Sequence, residues 1–202
     1  RQRYTGMKIE HLSRQRELPR SKTMNLPDKK YNIIYADPPW SYPKSGGKKS
    51  SRGLAKSFYD TMTTDDIKNM DIDSISHENC YCFMWTTSPK LPESIEVMKA
   101  WGFEYFNVVF TWIKMNKVSD SLFWGMGNTT RANAEYVLLG RKGKLDRLDA
   151  GIHSVVMSKI EKHSKKPDEV RRRIDTLYGD IPRIELFARE RAVGWDSWGN
   201  EL

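Results

Sequence analysis

From Tyr31 onward the chain is built of short apolar runs: YNIIYA, YCFMWTT (81–87), FNVVFTWI (106–113), EYVLLG (135–140), HSVVM (153–157) and RIELFA (183–188). Each is rich in β-branched or aromatic residues and bounded by Gly, Pro, Asn or Asp, the pattern of a buried strand. Helix signals lie between several of them. TTDDIKNM opens with threonines and acids suited to a helix N-terminus, and LPESIEVMKAWG has Pro92 near its start and Gly102 past its end. In KPDEVRRRIDTLYG, Pro167 fits a first turn, Asp168 and Glu169 favour the positive end of the helix dipole, Val170, Ile174 and Leu177 share a face, and Gly179 supplies a stop. Strands alternating with helices confine the chain to an α/β fold with a mainly parallel sheet, helices on both faces and crossovers of the usual hand. Ligands in such sheets bind beyond the carboxyl ends of the strands. Asp37, directly after YNIIYA, falls on that edge.

With 202 residues the chain is long enough for one sizeable core. Residues 1–30 are polar and basic and read as an N-terminal extension or linker, leaving 31–202 as the domain. Three segments are too long or too polar for simple connections and are candidate substrate loops: 43–57, 117–134 and 141–151. The formal charge of +8 favours a polyanionic partner, nucleic acid first, although a basic solvated surface explains the charge equally well on its own. Of the charge runs, Arg171–Arg173 reads as a solvated helix face, whereas KHSKK (162–166) and the 44–56 loop read as nucleic-acid contacts. Cys80 and Cys82 are expected on opposite faces of a strand, as core or surface thiols in a reducing compartment. The four histidines lack ligand spacing and no P-loop is present, so neither a metal nor an NTP reaction is expected. No apolar run is long enough to span a bilayer and no secretory signal opens the chain, so a soluble, intracellular protein is expected, nuclear in a eukaryote and cytoplasmic in a bacterium or phage host.

The strand YNIIYA leads into Asp37-Pro38-Pro39-Trp40. Two prolines fix φ and remove two N–H donors, so the carbonyls there are expected to be free for a ligand. Asp37 adds an anionic acceptor and Trp40 an exposed flat surface, a set suited to an exocyclic amine on a stacked aromatic ring such as adenine. The lone pair of such an amine is delocalised into its ring. Acceptors for its N–H groups, Asp37 and the Pro38 carbonyl, assist attack by positioning and by stabilising the developing positive charge. The bland alternative is a turn with a buried aromatic anchor.

DPPW is accompanied by FYDTM (58–62), FMWTT (83–87), AWGFEY (100–105), GMGNTTRANAEYVLLGRKG (125–143), HSKKPDEV (163–170), RIELFAR (183–189) and GNEL (199–202). This ordered set, covering roughly Tyr31 to Leu202, resembles the DPPW-type N6-adenine methyltransferases. That family uses S-adenosylmethionine and includes the catalytic subunit of the messenger-RNA adenosine methyltransferase and related DNA-adenine enzymes. The resemblance implies a Rossmann-like methyltransferase fold in permuted motif order, with the amine-binding strand early and the cofactor strand, RIELFAR, late. It assigns Asp37 and Pro38 to the target amine, Pro39 to the turn, Trp40 to stacking on the base and Tyr59 to a place beside it. On the cofactor side it assigns Asp37, Arg189, Glu190, Arg191, Asn200 and Glu201, the last two at the ribose hydroxyls. The sequence departs from the messenger-RNA enzyme at Ala134, where that enzyme has lysine, and at Glu190-Arg191-Ala192, where it has Pro-His-Asn. Glu185 and Arg189 alternate on their strand and either pair with each other or leave Arg189 for a ligand.

The resemblance implies methyl transfer to adenine N6 in DNA, with the base extruded from its stack. The alternatives are the same chemistry on RNA and a non-catalytic nucleic-acid-binding scaffold, against which the intact DPPW argues. A paralogous, catalytically inactive subunit is the implied protein partner.

Overall fold

The computed structural model describes residues 25–42, 61–127, 129–162 and 164–202. Its central strand, β1 (Tyr31–Ala36), is buried almost continuously because helices cover both faces of the sheet. On one side β1 pairs in parallel with β2 (Ser76–Thr86), and on the other with β6 (Arg183–Leu186). The sheet continues through β4 (Ala134–Lys142), β3 (Glu104–Met115) and β5 (Val155–Lys159) on the β2 side, and ends at β7 (Asp196–Trp198) beyond β6. The order is β5-β3-β4-β2-β1-β6-β7, and β4 alone runs antiparallel to its neighbours.

The helices are α1 (Thr64–Lys68), α2 (Leu91–Ala100) and α3 (Asp168–Tyr178). A capping box between Thr63 and Asp66 starts α1, and the Trp101 indole N–H at the end of α2 donates to the Ile67 carbonyl at 2.8 Å, tying the pair together. Period-two alternation divides the core. Ile34, Ala36, Cys82, Met84, Ile184 and Leu186 face Val97, Met98 and Trp101 on the α1/α2 side. Ile33, Tyr35, Phe83, Trp85 and Val137 face Val170 and Ile174 of α3 on the other. Gly179, at φ 71°, ends α3 in a backbone conformation that favours glycine.

All six apolar runs are strands and all three helical stretches are helices, which gives the Rossmann-like α/β arrangement. One strand, β7, carries no apolar run. Two expectations are corrected. Cys80 and Cys82 stand two residues apart on β2, so they share a face, and both are buried in the α1/α2-side core. Burial pushes the Cys80 thiol up to about 12 and raises Cys82 as well. Of the arginine run only Arg172 is mainly solvated. Arg171 pairs with Glu185 at 2.6 Å, and Arg173 donates to Glu169 at 2.9 Å and to the His153 and Val155 carbonyls.

Most of the N-terminal extension and the whole 43–57 loop lie outside the described residues. Residues 25–30 run beside β7: the Asn25 carbonyl accepts from the Trp198 indole at 3.2 Å, and Lys29 pairs with Asp196 at 2.7 Å. Among the described residues no helix is long and apolar enough to cross a membrane.

Candidate active site

Strand direction decides which side chains can meet. Asp37 follows the carboxyl end of β1, Lys114 lies at the carboxyl end of β3, and the segment after β5 carries Lys166 toward α3. Because β4 is antiparallel, its beginning, with Glu135, reaches the same edge. Arg189–Arg191 follow β6, and Asn200 and Glu201 follow β7, again on that edge. β1 connects outward to β2 while β6 connects the opposite way to β7, so Asp37 sits at a switch point of the sheet.

Four charges form a chain across this edge. The Lys166 ammonium donates to Asp37 Oδ2 at 2.7 Å and lies 3.4 Å from Glu135 Oε2, while Lys114 pairs with Glu135 Oε1. Burial alone would lower Lys166, but the carboxylates of Asp37 and Glu135 outweigh it and hold the amine above its usual value. Burial alone would raise Glu135, and Lys166 and Lys114 outweigh it, holding the carboxyl below its usual value. The floor is aromatic. Lys166 lies 5.5 Å from the Trp85 ring centre and Lys114 lies 5.1 Å from that of Trp112, while the two indoles meet edge to face at 6.1 Å. The Trp85 N–H donates to the buried Tyr35 hydroxyl at 2.6 Å, which fixes the floor to β1.

DPPW differs in two respects from its reading in sequence. The proline carbonyls are engaged: Pro38 O accepts from Trp40 N–H at 2.8 Å and Pro39 O from Met62 N–H at 2.9 Å. Each oxygen keeps a second lone pair, so acceptance from a ligand at Pro38 adds to a turn bond. Trp40 is buried at 5% exposure, and its indole N–H donates to the Trp85 carbonyl at 3.3 Å. The tryptophan anchors the turn in the core and presents no open stacking face. The exposed ring of this segment is Tyr42, whose hydroxyl lies 2.8 Å from Thr87 Oγ1. Tyr59 lies outside the described residues.

On the β6 side, Glu185 and Arg189 do not pair with each other. Glu185 is held by Arg171, and Arg189 Nε lies 3.6 Å from Glu201 Oε1, which joins two of the expected cofactor residues. Glu190 instead faces Lys165 at 3.6 Å and Arg171 at 3.8 Å, while Arg191 and Asn200 are exposed. The turn after β6 is tight. Phe187 takes φ 60°, Ala188 N–H donates to the Trp198 carbonyl at 3.0 Å, and a Cβ on Gly199 would stand 2.2 Å from Ala188 O.

Lys166, Glu135 and Lys114 are the site residues the motifs missed. Lys166 was read as part of a nucleic-acid patch, but its side chain turns inward to Asp37, 129 positions away. A lysine directly before a helix-opening proline and a glutamate opening an apolar strand were the available signals. Only the topology joins them.

Residues 31–201 match the MT-A70 family. The type II methyltransferase M.MunI of Mycoplasma sp is 35% identical over 193 residues, covering 88% of this chain and 80% of that protein. The human N(6)-adenosine-methyltransferase catalytic subunit METTL3 is 27% identical over 177 residues, covering 86% of this chain and 28% of that protein. The MT-A70-like N(6)-adenosine-methyltransferase of Drosophila melanogaster is 26% identical, with 27% of its length covered.

Proposed function

The chain belongs to the MT-A70 family, and on that premise we propose that it transfers a methyl group from S-adenosylmethionine to the N6 amine of adenine in DNA. The observation that carries this reading is the placement of Asp37 at the sheet's switch point, with one carboxylate oxygen fixed by Lys166. Oδ2 is occupied by the ammonium. Oδ1 remains as acceptor for an amine N–H, and Pro38 O offers its second lone pair to the other. Two acceptors draw the nitrogen toward tetrahedral geometry and stabilise the positive charge it develops, with Asp37 taking the proton the amine sheds. Lys166 holds Asp37 in orientation through Oδ2. Asp37 and Glu135 balance Lys166 and Lys114, so the network is neutral as a whole.

The residues present fit the cofactor. Its amino-acid end needs a carboxylate and a cation close together, which Asp37 and Lys166 supply, and its ribose diol needs a carboxylate acceptor such as Glu201. Arg189, Asn200 and Glu201 would hold the nucleoside portion, with Glu190 and Arg191 at the rim. The bound cofactor supplies an electrophilic methyl group on a sulfonium sulfur. Trp40 supports the base pocket from below, while Tyr42 provides a ring wall.

DNA is favoured because similarity to the type II methyltransferase is higher and extends along most of that protein, whereas the METTL3 match covers less than a third of its length. RNA is the second reading, supported by the N(6)-adenosine-methyltransferase relatives. A partner subunit of the same fold is part of the proposal: the β3–β4 connection exposes Val118, Leu122, Trp124 and Met126, more apolar surface than an isolated loop needs. Methyl transfer to matched DNA and RNA oligonucleotides, by wild type and Asp37→Ala, tests the assignment. Full activity in Asp37→Ala would overturn it, and far faster methylation of unpaired RNA would replace DNA by RNA.

A further inference from the structure

A second concave site lies at the other end of the strands, on the α3 face. A cavity of about 440 Å³ is walled by Tyr81 of β2, Arg141 of β4, Lys144 and Arg147 of the following loop, and Tyr178 at the end of α3. Tyr81 is in register with Ile33, four residues before Asp37, which sets the two sites apart by roughly 13 Å along the strands. None of these residues belongs to the methyl-transfer site.

The wall is pinned in place. Gly143 turns the chain at φ 64°, where a Cβ would stand 2.3 Å from Asn79 Oδ1, and that same oxygen accepts from Lys144 N–H at 2.9 Å. The Tyr81 hydroxyl donates to Leu145 O at 3.3 Å and accepts from Leu145 N–H at 3.2 Å, and Leu148 N–H donates to Leu177 O at 2.7 Å. The chain therefore holds this loop open without help from a ligand.

Charge in the cavity is only partly compensated, because the one carboxylate of its lining, Asp146, pairs with Lys144 and leaves the two arginines. Arg141 lies 3.1 Å from the Phe106 ring centre and 5.5 Å from that of Tyr81, and its Nε is buried without a hydrogen-bond partner. Among the described residues neither Arg141 nor Arg147 forms an ion pair, and Lys144 has Asp146 at 3.0 Å. Burial pushes the Tyr178 phenol up to about 12, Tyr81 adds to this, and Arg141 and Arg147 pull it back; both arginines line the same cavity as Tyr178. Tyr81 and Tyr178 meet edge to face at 5.6 Å and 83°, forming an aromatic corner. Planar guanidiniums without a carboxylate match a phosphate's oxygens, and an aromatic corner takes a planar ring.

The geometry points to a nucleotide-binding site, separate from the methyl-transfer centre, that holds a 5′-phosphate on Arg141 and Arg147 and a base against Tyr178. Its size falls within the range of small-ligand pockets, about 300–1,000 Å³. The phosphate can come from a free mononucleotide or from the 5′ end of a strand, and the chemistry of the site is the same for both.

Calorimetric titration of the full chain with AMP, adenosine and inorganic phosphate tests the site, beside 5′-phosphorylated and 5′-hydroxyl oligonucleotides of one sequence. AMP should bind at least about tenfold more tightly than adenosine. Arg147→Gln, on an exposed side chain, should weaken AMP by about fivefold or more with unchanged thermal stability, and Arg141→Met should do the same. Asp37→Ala should leave AMP binding intact, which separates this site from the methyl-transfer reading. Tighter binding of the phosphorylated oligonucleotide than of AMP identifies the strand end as the natural source, and the reverse identifies the free nucleotide. Equal AMP affinity in wild type and both arginine variants, loss of AMP binding in Asp37→Ala, or absence of AMP binding at millimolar concentration would each overturn the inference.

Discussion

Replacing Lys166 by Met removes the one cation among the described residues that touches both Asp37 and Glu135 while keeping most of the side chain's volume. The three side chains are only 16%, 24% and 14% exposed, so the carboxylates left behind have limited access to water. Losing one partner of a buried pair costs about 3–5 kcal/mol, and the residual exposure places this case near 3. For a domain of this size each kcal/mol corresponds to about 2–4 °C, so melting should fall by roughly 6–12 °C at neutral pH. The sign of the pH dependence is diagnostic. In wild type the Glu135 carboxyl is depressed, so its stabilisation is present above the ordinary glutamate range and is lost as pH falls through the lower folded value. Lys166 is raised, so its stabilisation is present below its ordinary value and is lost only in strong alkali. Without Lys166, Lys114 alone among the described residues opposes the burial of Glu135, so its folded value rises. Wild type then loses more stability than the variant on acidification, and the deficit of Lys166→Met should shrink as pH falls from about 7 to about 4. Calorimetric melting of wild type, Lys166→Met, Glu135→Gln and the double variant supplies the cycle, with an expected coupling of about 1–3 kcal/mol. A deficit that stays constant or grows on acidification, or strict additivity in the cycle, would refute the account of one coupled network.

Asp37→Asn keeps the shape of the side chain and removes its charge, so kcat should fall by about 10²–10³, measured by transfer of labelled methyl to an adenine oligonucleotide, while melting should fall by less than in Lys166→Met because Lys166 keeps Glu135 as a partner. Trp40 distinguishes anchor from stacking lid: Trp40→Ala should destabilise the fold by about 3–5 kcal/mol in urea unfolding, whereas weakened substrate affinity at unchanged stability would restore the stacking role. At Gly199 a methyl group meets the Ala188 carbonyl, so Gly199→Ala should cost about 1–3 kcal/mol and weaken cofactor binding in calorimetric titration. Within the arginine run, Arg172→Ala should leave melting unchanged and Arg171→Ala should lower it, because only the latter strands Glu185 in the α3-side core.

Strands were legible wherever both faces are buried, because burial on both faces forces a continuous apolar run, as in YNIIYA. The strand β7, DSW, is a three-residue edge strand with one face open, so its composition carries no such demand. The place of Asp37 at the carboxyl edge of the sheet was legible for a similar reason: a carboxylate ending a buried strand is an exception to local chemistry. Trp40 was misread because an aromatic after two prolines gives no local sign of which way it points, and its direction is set by Met62 and Trp85. Pro38 was misread in the opposite sense, since a missing donor says nothing about which neighbour's N–H reaches the carbonyl. The network partners were invisible for a reason of topology. Were β4 parallel like the other six strands, Glu135 would begin at the far edge of the sheet, where the Tyr81 cavity lies, and Lys166 would face Asp37 alone. One reversed strand thus brings the beginning of one segment beside the end of another. The same reversal carries the other end of β4, with Arg141, to the opposite edge, so a single strand supplies the carboxylate of one site and the guanidinium of the other.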